Sequence, residues 1–440
     1  LAWTMGSELL FDMFQAHALL FPFLATCVLL TGLADRQWWV LPWLAFTVTL
    51  VVQTHVSYGY IVPILVVFAA ARGWLRHAGL GAATPSPGGA GTAVPVRATA
   101  VVLALTWFQP VWEQLFGEGQ GNLIRLARAA GGTDVTLGFT NAVTLTGAFI
   151  ALPPWAGRQG FRDTIEPSGI ERTASGDEIV VLAGMPPGWL SALALVATLA
   201  ALAAAWGWAR HRGLAVLGTV AELAAVGVVG GVVAFSRLTV TVLGFAPHHS
   251  RWVIVIALLV YVALAWAAVD AVAVRFGAPS SRALAVVTAV LVAGFGVANL
   301  PRFGQPHGPT ADATAQPALE AAFDALDAAI EAGVLTGPVF FDLTNERIYA
   351  PHTSALQLHL RHRGVEFRVD SEFLVRHLGE GRRADGSEPD TVRQYHDLEA
   401  EHPPVDECVL AQIPPTGDAP GWPSMWFAVT RAGACPAARP

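Results

Sequence analysis

The strongest constraint on this chain is a series of apolar blocks whose lengths approach the thickness of a bilayer. A membrane helix needs about 20 apolar residues, because it rises about 1.5 Å per residue through about 30 Å of hydrocarbon. Blocks of roughly this kind lie at residues 9–33, 38–54, 56–71, 98–108, 187–210, 214–235, 252–274 and 283–300. The composition agrees, since 54% of the 440 residues are hydrophobic and only 13% are charged. The pattern predicts an α-helical polytopic membrane protein.

A short polar stretch interrupts the run from Trp38 to Ala71. That run has no Asp, Glu, Lys or Arg, yet Gln53, Thr54 and His55 lie near its middle. An unbroken helix of that length would measure about 50 Å, against a hydrocarbon core of about 30 Å. We therefore expect two spans joined at these residues, with the polar side chains at the membrane surface.

Arginine indicates the orientation, because short cytoplasmic loops retain positive charge. The chain has no lysine, and arginines flank alternate loops, at positions 36, 72, 76, 97, 210, 212, 275 and 282. If these loops are cytoplasmic, the opposite side receives the turn at 53–55, the segment 110–186, the loop before Trp252 and the region after Pro301. The sequence thus predicts a multi-pass protein of the plasma membrane with an extracytoplasmic C-terminal domain.

Five parts follow from this topology. Residues 1–75 would form transmembrane helices with an external turn, 76–97 a cytoplasmic Gly/Pro-rich linker, 98–187 a transmembrane helix with an external loop, 188–300 four transmembrane helices, and 301–440 an extracytoplasmic α/β domain. The segment Val135–Trp155 is apolar enough for another span, but a crossing there would move later arginine loops outside. We interpret it as interfacial or re-entrant, and we expect Pro110 to end its span.

The region after Pro301 is predicted to be a small sheet covered by helices. Apolar residues from Leu319 to Ile330 repeat at helical spacing, and a second helix is expected near 354–363. The stretches "PVFFDL", "VEFRV", "CVLAQI" and "MWFAVT" are typical of strands. Asp342 and Asp370 each close a strand, where either a ligand site or, more simply, a turn-capping carboxylate is expected.

Polar residues on the external side supply the candidate site. They belong to the first span, the external turn, a Gly-rich stretch and a basic loop: Glu8, Asp12, His17, Gln53, His55, Glu113, Gln114, Asn122, His248, His249 and Arg251. Glu8 and Asp12 share a helix face at i, i+4 spacing. The basic loop would suit an anionic lipid headgroup or pyrophosphate, and its adjacent histidines lack the spacing of a helical zinc pair. Interfacial solvation, helix packing and an aromatic and basic belt remain alternative explanations.

Several function classes have no support in the sequence. No HExxH, CxxC, GxSxG or GxGxxG motif occurs, which leaves metalloprotease, thiol-redox, serine-hydrolase and dinucleotide functions without a basis. The Gly-rich stretch is no P-loop, because the Lys and Ser/Thr are missing. A net charge of −7 gives no basic footprint for nucleic acid. No metal or cofactor is predicted.

The quoted segments resemble a known family. The run "GSELLFDMFQAH", then "LPWLAFTVTLVVQTHVSYGYIVP", "PVWEQLFGEGQGNL", the pair Arg251-Trp252 and "SALQLHLRHRGVEFRV" resemble large actinobacterial polytopic proteins of the GT-C glycosyltransferase type. These are similar to mannosyltransferases that use polyprenyl-phosphate sugars. The matching residues are Gly6, Glu8, Asp12, His17, Gln53, Thr54, His55, Gln114, Gly121 and Asn122. The stretch 14–16 departs from the family's usual Trp-Asn-Pro.

The resemblance implies a GT-C-like bundle that transfers a sugar from a polyprenyl-phosphate donor to an extracytoplasmic cell-envelope acceptor, with inversion. In such enzymes the catalytic carboxylate usually lies in the first external loop, which would precede Leu1, so we expect an N-terminally truncated fragment. Within the chain, the catalytic candidates are Glu8, Asp12, His17 and His55. We expect these residues and Arg251 to converge on one external cavity, where membrane lipid, donor and acceptor meet.

The alternative is a non-catalytic membrane protein, either transporter-like or a scaffold whose external domain binds glycan or a protein partner. Intramembrane charge pairs would support transport, and the sequence suggests almost none besides Asp270.

The cysteines offer a separate expectation. Cys27 lies in a span, whereas Cys408 and Cys435 fall in the external domain and are predicted to form a disulfide, with two free thiols as the alternative.

Overall fold

The computed structural model describes residues 18–77, 93–117, 136–151, 169–172, 178–181, 185–238, 247–276, 316–344, 351–396, 400–414 and 427–433, with a few single positions between them. The chain divides into two compact units, Leu1–Pro309 and Thr310–Pro440. The first is helical and the second contains a mixed sheet.

The first unit is built from apolar helices. They are α1 (Leu20–Ala34), α2 (Leu41–Thr54), α3 (Tyr58–His77), α4 (Ala93–Phe116), α5 (Gly138–Thr146), α6 (Gly188–Arg212), α7 (Ala215–Ser236) and α8 (Trp252–Phe276). In the described part of the chain, α3, α4, α6, α7 and α8 are long and apolar enough to cross a membrane. This agrees with the predicted polytopic helical architecture. A two-stranded antiparallel hairpin, β1 (Gly169–Arg172) with β2 (Glu178–Val181), precedes α6.

Contacts at the helix termini define two distinct ends of the first unit. At one end Asp35, which follows α1, contacts Arg72 and Arg76 near the end of α3. At the other end the turn between α2 and α3 meets the short 3-10 turn Pro247–Ser250 before α8. We call these the arginine end and the histidine end.

The helix α4 continues beyond Pro110, so the prediction that Pro110 ends its span was wrong. Proline lacks an N–H and therefore leaves the carbonyl oxygen four residues earlier without its usual helical donor. Here that carbonyl belongs to Thr106, and the side-chain amide of Gln53 donates to it at 3.1 Å. A second bond, from Trp107 Nε1 to Thr49 Oγ1 at 3.1 Å, also ties α4 to α2. A neighbouring helix thus provides the donor that proline removes.

The segment predicted to be interfacial or re-entrant contains α5 and a π-helical turn, Gly147–Ala151. The two together measure about 21 Å, less than the hydrocarbon core of about 30 Å. The segment is largely buried against α6, α7 and α8, and the hydroxyl of Tyr261 donates to the Ile150 carbonyl at 3.1 Å. A Cβ atom added to Gly147 would lie 2.6 Å from the Ser191 carbonyl oxygen, so glycine permits this close approach to α6.

The second unit is a five-stranded mixed sheet with helices. Its elements are α9 (Gln316–Glu331), β3 (Val339–Asp342), α10 (Pro351–His362), β4 (Phe367–Arg368), α11 (Glu372–Leu378), β5 (Asp390–His396), β6 (Cys408–Ile413) and β7 (Phe427–Arg431). The strand order is β4-β3-β5-β7-β6. Strand β3 is parallel to β4 and β5, whereas β7 is antiparallel to β5 and β6. Its core joins helix residues such as Leu326 and Leu356 to strand residues such as Phe341 and Val429.

Two details of the second unit relate to the sequence. A disulfide joins Cys408 to Cys435, whose Cα atoms are 4.5 Å apart. Asp342 caps the turn after β3 by accepting from the Thr344 N–H at 3.0 Å, and it also pairs with Arg393 at 2.8 Å. Its carboxylate therefore has the turn-capping geometry that the simpler interpretation expected.

Candidate functional site

The turn between α2 and α3 is organised by His55. This residue leaves helical geometry, with φ −147° and ψ 123°, and thereby ends α2. Its Nδ1 atom accepts from the Ser57 N–H at 3.3 Å and lies 2.8 Å from Ser57 Oγ. Because an N–H donates to Nδ1, the neutral ring carries its proton on Nε2. The imidazole is 7% exposed, so this turn places a fixed, buried N–H donor at the histidine end.

The second half of the site is the 3-10 turn before α8. Trp252, the first residue of α8, donates from Nε1 to the His249 carbonyl at 2.9 Å and packs on Phe235 with ring centroids 4.6 Å apart. These contacts fix the backbone of the turn. The His249 ring lies 5.6 Å from the His55 ring, centroid to centroid, although the two residues are distant in sequence.

Burial controls the charge of this pair. It lowers the pKa of His249 to about 4, with a smaller contribution from His55, and it also lowers the pKa of His55. Both imidazoles are therefore neutral at pH 7. Arg251 is 7% exposed and supplies the fixed positive charge beside them.

His55 also connects the turn to the interior of the bundle. Its ring lies edge-on to the Tyr58 ring with centroids 6.3 Å apart, and the Tyr58 ring contacts Phe23 of α1 in an edge-on arrangement with centroids 5.2 Å apart. The buried residues His55, Ser57, Ser250 and Arg251, together with half-buried His249, form what we call the histidine cluster. A guanidinium with two imidazole rings provides hydrogen-bond donors suited to an anionic oxygen.

The other residues that the sequence predicted for the site lie elsewhere in the structure or outside the described residues. Gln53 turns its amide toward Thr106 of α4, and Gln114 accepts from the Ile124 N–H at 3.1 Å, so each has a partner away from the histidine cluster. Glu113 lies on α4 close to Gln114 in sequence. Glu8, Asp12, His17 and Asn122 lie outside the described residues, as does the side chain of His248. Of the residues predicted to converge, the structure brings His55 against His249, which lies two residues before Arg251 in the chain; the convergence of the whole set stays a prediction.

Sequence reasoning missed two members of the cluster, Ser57 and Ser250. The only available signal for Ser57 was its position two residues after His55, where a short side chain commonly bonds a turn. Ser250 is fully buried in the structure. In the sequence it lies between a histidine and an arginine, in a loop for which an aromatic and basic belt was an alternative explanation.

The expectation of almost no intramembrane charge pairs was wrong. At the arginine end, Arg72 pairs with Asp35 at 2.9 Å and also contacts Glu222, which lies two turns inside α7. The Thr219 hydroxyl donates to Asp35 at 2.6 Å, and Trp206 Nε1 donates to Glu222. The side chains of Arg72 and Asp35 are only 11% and 12% exposed. Such pairs join residues far apart in sequence and cannot be identified without the fold.

Metal binding has no geometric support in the described ranges, where no group of three or more His, Cys, Asp or Glu side chains could hold an ion.

Comparisons of the chain with protein-family models, curated proteins and solved structures give no match. The long apolar helices indicate a multi-pass membrane protein. Its function is therefore argued from the site alone.

Proposed function

We propose that the protein is a membrane glycosyltransferase of the GT-C type, which transfers a sugar from a polyprenyl-phosphate donor to a cell-envelope acceptor. The observation that carries the proposal is the histidine cluster, in which the His55 and His249 rings are in contact and buried Arg251 follows two residues after His249, at one end of an apolar bundle. A lipid phosphate has to be bound where its chain can remain in the bilayer, and the end of a transmembrane bundle meets that requirement.

The cluster would act on the leaving phosphate. Arg251 would form charge-assisted hydrogen bonds to phosphate oxygens, and the two neutral imidazoles would contribute N–H donors. As the acceptor oxygen attacks the anomeric carbon, the bond from that carbon to the phosphate oxygen breaks and its electrons remain on the phosphate. Donors already in place stabilise this developing charge.

The acceptor proton requires a carboxylate. Glu8 or Asp12 would accept it as the acceptor oxygen attacks, and this single displacement inverts the anomeric centre. His17 would position the sugar or the phosphate. The histidine end would then face the extracytoplasmic side, as the arginine distribution predicts.

The proposal is tested by Arg251→Ala in the full-length protein. A hydrogen bond to a charged group contributes about 1.5 to 3 kcal/mol, so kcat/KM for a polyprenyl-phosphate sugar should fall about 10- to 100-fold. Transfer of radiolabelled sugar from the donor to acceptor gives the measurement. The matched control is Arg212→Ala at the arginine end, whose side chain is 41% exposed and pairs with Asp270.

The control variant should retain activity within about threefold, since exposed ion pairs contribute little. Gel filtration and circular dichroism establish that both variants are folded. If folded Arg251→Ala transfers sugar at the wild-type rate, the histidine cluster does not bind the donor phosphate.

A second candidate is a non-catalytic, transporter-like or scaffold protein, and the contact of Arg72 with Asp35 and Glu222 favours it. Paired charges within a bundle commonly mark ion or substrate pathways. Under this alternative, donor-dependent sugar transfer would be absent from the wild-type protein. Vesicles containing the protein would instead show uptake that Glu222→Gln abolishes and Arg251→Ala preserves.

A further inference from the structure

The chain changes its direction of winding at one point of the sheet in the second unit. From β3 the chain passes through α10 to β4, and then crosses through α11 to β5 on the other side of β3. The direction of winding therefore reverses between the parallel strands β3 and β5. In open α/β sheets, ligands bind outside the carboxyl ends of the strands at such a reversal.

Three buried polar side chains lie on the elements that meet at this edge. Thr353 is 2% exposed, Gln357 5% and Gln394 1%. Thr353 and Gln357 lie one turn apart within the first seven residues of α10, and α10 follows β3 in the chain. Gln394 lies near the carboxyl end of β5, on the same face of the strand as the core residue Val392. All three thus belong to the layer between helices and sheet.

These side chains have polar atoms without partners. Among the described residues, no hydrogen bond reaches Thr353 Oγ1, Gln357 Nε2, or either the oxygen or the nitrogen of the Gln394 amide. A buried polar atom without a hydrogen bond costs about 1 to 3 kcal/mol. Three such side chains concentrated at one edge of a small sheet require a common explanation.

Two helices begin at the same edge. Helix α9 is followed by a short connection to β3, so it runs antiparallel to that strand and begins near its carboxyl end. Helix α10 runs alongside α9, since His359 contacts Asp327 at 2.7 Å and Arg363 contacts Glu331 at 3.0 Å, an equal offset of 32 residues in both pairs. Neither helix has an acidic residue in its first turn. The N–H groups of their first turns and their dipoles therefore favour negative charge.

We infer that this edge of the second unit binds the oxyanion of a small solute, in the first instance a phosphate group. The groups available are a hydroxyl, amide NH₂ groups and helix N-terminal N–H groups, which are predominantly donors. Donors of this kind match phosphate oxygens and do not match a cation. The site lies in a different unit from the histidine cluster and shares no residue with it, so it is independent of the proposed sugar transfer.

The test is hydrogen exchange of the full chain in detergent, followed in peptides that cover residues 351–357. Inorganic phosphate is compared with chloride at equal ionic strength. At about ten times its Kd, phosphate should slow exchange of these amides about tenfold, because binding suppresses opening by a factor of 1 + [L]/Kd. A parallel titration with glycerophosphoglycerol, a lipid headgroup without acyl chains, distinguishes a phosphodiester from free phosphate as the source of the oxyanion.

Gln394→Leu should abolish the phosphate effect without unfolding the unit, because it removes an amide that has no protein partner. The matched control is Gln412→Leu, which removes an amide bonded to the carbonyl oxygens of Ala400 at 2.9 Å and Glu401 at 2.8 Å. The control should lose stability yet keep the response to phosphate. If neither phosphate compound slows exchange in the wild type, or if Gln394→Leu keeps the full response, the inference is overturned.

Discussion

At the scale of single residues, Gln53 shows why a polar side chain can lie within an apolar run. Its amide donates to the Thr106 carbonyl, which lacks a helical donor because residue 110 is proline. The sequence suggested a ligand-binding role for Gln53, but the contact is between α2 and α4. The same turn also places His55 in the histidine cluster, so two nearby polar positions have different roles.

This explanation predicts the outcome of a double-mutant cycle. Gln53→Leu should lower the free energy of unfolding by about 1 kcal/mol, the usual contribution of a neutral hydrogen bond. In a Pro110→Ala background the backbone N–H of the introduced alanine supplies the missing donor, so Gln53→Leu should then cost almost nothing. Unfolding by SDS in mixed micelles gives the four values. Equal costs in both backgrounds would show that Gln53 does not compensate for the proline.

The individual residues of the site could be predicted from the sequence, but their arrangement could not. His55, His249 and Arg251 could each be selected from the sequence as polar groups in external loops. The contact between the His55 and His249 rings could not, because it depends on how the fold brings the turn after α2 to the turn before α8. The neutral state of both imidazoles has the same origin, since burial is a property of the fold.

At the scale of elements, the prediction succeeded where apolar periodicity was strong and missed β5. The helix from Leu319 to Ile330 and the strands "PVFFDL" and "CVLAQI" correspond to α9, β3 and β6. Strand β5, "DTVRQYH", has Asp390 and Gln394 on the same face as Val392, so its inward face is polar at two of three positions. Hydrophobic alternation cannot reveal such a strand, although it lies at the centre of the sheet.

The packing of α5 and its π-helical turn against α6 gives the second prediction. Gly147→Ala should destabilise the protein by about 1 to 3 kcal/mol, because its Cβ would meet backbone atoms of Ser191 that cannot move aside. Gly207→Ala on the exposed face of α6 is the control, since no atom lies within 4 Å of its added Cβ.

The control should gain about 0.5 to 1 kcal/mol from the higher helix propensity of alanine. Thermal unfolding in detergent, followed by circular dichroism, separates the two variants. A Gly147→Ala protein as stable as the wild type would indicate that the π-helical turn does not pack against α6 as described.

At the scale of the whole molecule, charge and cysteine chemistry bear on the same question of topology. The arginine end collects Arg72, Arg76 and Arg212, which is the distribution expected of a cytoplasmic side. The disulfide between Cys408 and Cys435 belongs to the second unit, and disulfides persist mainly in oxidising compartments. The arginine distribution is the basis on which the sequence predicts an extracytoplasmic second unit, and the disulfide gives that prediction a second, unrelated physical reason.

This topology predicts the behaviour of intact spheroplasts. A protease added outside should remove the second unit, and a membrane-impermeant phosphine followed by an impermeant maleimide should label two thiols. Cys27 is fully buried in α1 and should stay unlabelled, which a Cys27→Ala variant verifies by giving the same count. Labelling without the phosphine would mean that Cys408 and Cys435 are free thiols. Cleavage and labelling that appear only after the membrane is ruptured would place the unit in the cytoplasm, because an impermeant reagent reaches only the exposed side.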